Sequence, residues 1–131
     1  MNKLLILILV LPMISFAEYK HWGTSDDGAS SPYYDIETRE YIRGDFSKPR
    51  VMTYSNVNFK NISYESYIEI NCLDKSFRTL NLKEYPQLNI KGNPIVVMVD
   101  TNRKDFAPPN TLTRNLIDFV LCSAYEKIFS Y

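Results

Sequence analysis

Histidine is almost missing from this chain. His21 is the only one among 131 residues, so no His-rich zinc or copper site can be assembled. Any triad would have to use that single ring, which stands beside Trp22 where a packing or surface role is the ordinary reading. Glycine is scarce as well, four in all, and no phosphate-cradling or dinucleotide-type glycine loop occurs. HExxH, GxSxG and CxxC motifs are absent. Asp26-Asp27 lacks the spaced oxygen ligands of a calcium loop. There is no excess of one charge either: fifteen basic residues balance fifteen acidic ones. That balance removes bulk attraction to nucleic acid and to anionic lipid. No internal repeat, low-complexity tract or linker divides the chain. These absences argue against an enzyme, against a bound cofactor or metal, and against a nucleic-acid partner.

A long apolar run occurs in one place. Leu4 to Ile14 (LLILILVLPMI) follows a short basic start at Asn2 and Lys3. It is too short to cross a bilayer as a stable helix, and Pro12 interrupts it. Ser15-Phe16-Ala17 then supplies the small-x-small pattern read by signal peptidase, so cleavage is expected between Ala17 and Glu18. Residues 1–17 thus read as a signal peptide and residues 18–131 as a single domain of ordinary size. The alternative is an anchor retained at the N-terminus. No cysteine follows the cleavage position, which closes the lipid-anchored route. The mature chain is expected in the periplasm or outside the cell, with no membrane span.

The remainder reads mainly as strands. Tyr19 to Thr24 is a short aromatic strand, and Tyr33 to Ile42 is a strand, a turn and a second strand. Arg50 to Phe59 is β-rich, with Val51, Val57 and Phe59 on one face. Tyr64 to Cys72 alternates most clearly: Ile68, Ile70 and Cys72 face one way, Glu65, Glu69 and Asn71 the other. In Phe77 to Tyr85, Leu80 and Leu82 oppose Thr79, Asn81 and Lys83. Ile95 to Asp100 (IVVMVD) reads as a short, buried strand. Pro108-Pro109-Asn110-Thr111 leads into a helix from Leu112 to about Lys127, whose stripe is Leu112, Leu116, Phe119, Val120 and Ser123. The expected fold is α+β: an antiparallel meander sheet of five to six strands with a C-terminal helix packed on it.

Two cysteines remain, Cys72 at the inward end of a strand and Cys122 beside the apolar stripe of the helix. Behind an export signal, two thiols in a small domain are expected to be bonded. A bond between them would staple helix to sheet across a loop of about 50 residues, worth on the order of 4 kcal/mol in the chain-entropy model. Buried free thiols or a redox couple are the alternative, although a catalytic pair normally lies in a short CxxC unit.

Ten tyrosines stand out. Half-buried strand packing accounts for most of them; recognition is the sharper reading, because exposed tyrosine offers contact area at low entropic cost. Tyr67, on the polar strand face among Glu65 and Glu69, is the candidate partner contact. Glu65 and Glu69 are also the one carboxylate pair that a glycosidase could use, with solvated strand charges as the plainer account. Asn61-Ile62-Ser63 is a sequon that matters only in a host that glycosylates it.

Trp22, the YYD of Tyr33 to Asp35, the YxxYxEIxC of Tyr64, Tyr67, Glu69, Ile70 and Cys72, and APPNT followed by LxxxLIxxVLC closing on Cys122 form an ordered set. Across residues 19–127 this set resembles the bacterial surface-adhesin protein E family. The resemblance implies a bent antiparallel sheet with a bonded C-terminal helix. It also implies adhesion to host extracellular-matrix or plasma proteins. Two functional classes follow. One is an exported, non-enzymatic binding protein that engages a protein partner through the polar sheet face or an edge strand; such an edge could also pair two copies into a homodimer. The other is a periplasmic inhibitor or immunity-like protein that blocks a hydrolase or toxin.

Overall fold

A computed structural model describes residues 18–129, and the expected signal peptide, residues 1–17, lies outside the described residues. The described chain is an antiparallel meander. Its strands are β1 (Lys20–His21), β2 (Ser30–Tyr41), β3 (Pro49–Val57), β4 (Ile62–Asn71), β5 (Ser76–Tyr85) and β6 (Ile95–Val97), paired in chain order. A seventh short strand, β7 (Asp105–Phe106), adds to β5 at Ser76 and Phe77. The C-terminal helical segment comprises α1 (Leu112–Leu116), a π turn (Ile117–Leu121) and α2 (Ser123–Phe129). None of the described helices is long and apolar enough to cross a membrane.

Period-two alternation places one set of side chains under the helix. Val51 pairs with Ile68, and Ile70 pairs with Phe77. With Tyr34 and Ile36 of β2, these residues form the floor on which Leu116, Ile117 and Leu121 rest. Cys72 and Cys122 are bonded at the same end, with Cα atoms 5.7 Å apart. The start of the helix is capped by Thr111, whose hydroxyl accepts from the Arg114 amide at 3.2 Å. It is also tied to the residue that follows β1, because the Trp22 indole donates to the Leu112 carbonyl at 3.0 Å. Gly23 permits that approach: a Cβ there would sit 3.1 Å from a Leu112 methyl. Farther along, Lys75 pairs with Asp118 at 3.0 Å and Glu126 at 2.9 Å.

Several expectations need correction. The apolar stripe does not run through Phe119, which is 72 % exposed; Ile117 and Leu121 are buried instead. The buried face is Leu116, Ile117, Val120 and Leu121, and a π turn lies in the same segment, where the Cys122 amide donates to the Ile117 carbonyl at 2.8 Å. One extra residue in a turn rotates everything after it by about 100°. A β-bulge has the same effect in β5. Tyr67 pairs with Asn81 and the next residue, Ile68, pairs with Thr79, so Leu80 has no partner and does not share an alternation with Leu82. In β2 the expected turn is a bulge within one continuous strand. It is closed by Thr38, which donates to the Asp35 carbonyl and accepts from the Met52 amide. The first strand is trimmed to two residues. Phe59 leaves the Val51 face for a 3-10 turn and is 75 % exposed. IVVMVD is not buried: only Ile95–Val97 is strand, at the sheet edge, with Val96 74 % and Met98 95 % exposed.

Candidate functional site

The face of the sheet away from the helix carries the candidate contact residues on consecutive rungs. Glu65, Tyr67 and Glu69 are alternate residues of β4 and therefore project together. Each is flanked by a neighbour on both sides: Tyr54 and Lys83 for Glu65, Met52 and Asn81 for Tyr67, Arg50 and Arg78 for Glu69. The structure brings Glu65 and Tyr67 to the same hollow, about 330 Å³, closed at its other sides by Thr38, Glu40, Met52, Asn81 and Lys83. Glu69 lies outside it.

All three are engaged within the molecule. Glu65 accepts from Tyr19 at 2.9 Å through one oxygen and from Tyr85 at 3.3 Å through the other. Burial, reinforced by the Glu65 contact, pushes the Tyr19 phenol well above its ordinary value. Tyr19 also packs edge-on against Tyr54, which stacks on Tyr33 at 4.3 Å, and His21 covers Tyr33 in turn. Burial raises Tyr54 to about 12. Tyr19 and Tyr54 therefore stay neutral phenols across the physiological range, and the stack ends at the Glu65 carboxylate. Tyr67 donates its hydroxyl to Glu40. Glu69 is held by the Nε atoms of Arg50 and Arg78, each at 2.9 Å. Burial acts to raise the Glu69 carboxyl, but the two arginines outweigh it and hold the group below the usual carboxylate range. Glu69 is thus an anion near neutral pH. With Glu65 occupied by two tyrosines, the two carboxylates do not form an acid–base pair. Among the described residues there is also no cluster of three or more His, Cys, Asp or Glu suited to a metal ion.

The far end of this face is closed rather than wet. A 3-10 turn, Leu88–Ile90, folds over it: Asn56 and Asn89 exchange two hydrogen bonds, and the buried Ser63 hydroxyl donates to the Gln87 carbonyl at 2.6 Å. Asp26 and Asp27 stay in their loop, where Asp27 accepts from the Ser25 hydroxyl and the Ala29 amide.

A different surface emerges at the last meander strand. β6 pairs with Leu82, Lys83 and Glu84 of β5 on one side and, among the described residues, has no strand on the other. Ile95 is 60 % exposed there, beside the still more exposed Val96 and Met98. An edge of unpaired amides and carbonyls flanked by apolar side chains is a template for another strand. The signal for it was present in the sequence, since the last strand of a meander has only one neighbour and cannot be covered on both sides by the same sheet. No family model matches the chain, and neither a curated protein nor a solved structure is similar to it.

Proposed function

We propose that this chain is an exported, non-enzymatic binding protein that engages a protein partner through the β6 edge. The observation that carries the reading is the free edge itself, with Ile95, Val96 and Met98 presented to solvent. Pairing a partner strand there would satisfy main-chain groups and bury apolar side chains at once. Tyr67, Glu65 and Glu69 are less suited to a central role. Their polar atoms already have partners, and a contact that released them would first lose those bonds. They form the flank of the contact, because Val96 lies opposite Lys83 on the same side of the sheet. Export is supported by the signal-like residues 1–17 and agrees with the Cys72–Cys122 bond, which persists in oxidising compartments. The resemblance to surface-adhesin protein E supports a host extracellular-matrix or plasma protein as the partner.

The test is a pull-down of the purified protein against matrix proteins and, separately, against periplasmic and host hydrolases. Retention of a matrix protein that is lost in Val96→Lys is expected. No matrix binding, combined with one tight hydrolase partner, would replace the adhesin reading with that of an inhibitor.

A further inference from the structure

A second site lies on the opposite side of the sheet. The helix covers only part of that face. Toward α1 the chain leaves a cleft of about 740 Å³ between helix and strands, within the size range of pockets that take small ligands.

Its lining changes character along the strands. The end nearest the disulfide is apolar, with Ile68, Ile70 and Phe77. Beyond it, the same strand faces carry hydroxyls: Thr53 and Ser55 on β3, Ser66 on β4 and Thr79 on β5. Thr53 and Ser66 are directly paired across the ladder. All four are half-buried, and among the described residues none of their hydroxyls has a hydrogen-bond partner. Leu112 and Leu116 of the helix form the apolar roof. Asp26, an exposed loop residue, is the only charged side chain among those lining the cleft.

We propose that this cleft binds a neutral saccharide. A hydroxyl both donates and accepts, so a row of them matches a ligand whose own groups are hydroxyls. The apolar roof and Phe77 suit the C–H faces of a sugar ring. An acyl chain would bury the four hydroxyls without partners, at a cost for each. A charged ligand would find no counter-ion beyond Asp26. The site is independent of the β6 edge and of the partner bound there.

Titration of isotope-labelled protein with the neutral trisaccharides chitotriose, cellotriose and maltotriose, followed by amide NMR, tests this directly. Saturable shifts at Thr53, Ser66 and Thr79 are expected for at least one of them. Ser66→Ala and Thr79→Val should each weaken that binding several-fold, up to about tenfold, the effect of one net hydrogen bond. Their amide spectra report separately that the fold is kept. No response to any of the three sugars, shifts confined to the opposite face, or unchanged affinity in both folded variants would overturn the proposal. So would saturation of the cleft by a lysophospholipid or a neutral peptide where the sugars fail.

Discussion

The two faces of the sheet are held together by different physics. On the helix side, stability comes from buried hydrocarbon and a covalent bond: Val51, Ile70, Ile117 and Leu121 are almost completely buried around Cys72 and Cys122. On the other side, it comes from rungs of polar and aromatic side chains, Tyr54–Glu65–Lys83 and Arg50–Glu69–Arg78, in which nearly every charge has a neighbour of opposite sign or a phenol donor. Hydrophobic burial is undirected and tolerates a shift of register, as the π turn shows. A polar ladder is directional, because each donor has to meet its acceptor. The irregular backbone of the helix leaves its core intact, and on β4 Glu65, Tyr67 and Glu69 keep their alternation while the β5 bulge sets their partners Asn81 and Arg78 three residues apart.

That contrast can be broken from the covalent side first. Cys72→Ser or Cys122→Ser should lower unfolding stability by about 4 kcal/mol, the loop-closure term for this separation. Denaturant titration checks it, and mass analysis of the unreduced protein should find both thiols consumed within one chain. Next comes packing: Leu121→Ala should cost about 3 kcal/mol through lost burial and an unfilled cavity. Phe119→Ala, two residues away but exposed, should stay within about 0.5 kcal/mol. If the two costs were equal, the π-turn register would be wrong.

The polar face should respond to pH where the apolar face does not. Glu69 is depressed in the folded state, so its contribution is fully present above the unfolded carboxylate value of about 4.3. It is lost as pH falls below that value and through the lower folded one. Glu69→Gln should cost about 1 kcal/mol at neutral pH, less than the core changes because the pair is partly solvated. The variant should also lose part of the acid-side decline, as read by thermal melts across pH. The smallest effect belongs to Tyr67→Phe. Stability should change by less than about 0.5 kcal/mol, and a large change would mean that the Tyr67–Glu40 bond anchors the β2 bulge.

What could be read in advance follows the same division. The alternation of Tyr64 to Cys72 was legible because period two is strict there, and it located both the disulfide and the shared face of Glu65, Tyr67 and Glu69. The helix start after Pro108-Pro109-Asn110-Thr111 was legible for a local reason, a rigid lead-in just before a run without glycine or proline. The bulge at Leu80 and the π turn were not. Each inserts one residue into an otherwise regular pattern, and nothing in the identity of Leu80, or of the residues from Ile117 to Leu121, marks one of them as extra. IVVMVD failed for another reason: apolar composition was equated with burial, but burial depends on position in the sheet. The Glu65 and Glu69 partners, Tyr19, Tyr85 and the two arginines, depend on strand register, which composition does not encode.

The meander order also bears on how quickly the molecule assembles. Every pairing from β1 to β6 joins neighbours in the chain, so the sheet can zip one hairpin at a time with short loops to close. The helix has no such local route. Its anchors, Trp22 to Leu112 and Cys72 to Cys122, span 90 and 50 residues. Docking of the helix should therefore form the late kinetic phase, following a preformed sheet whose underside is briefly open to water.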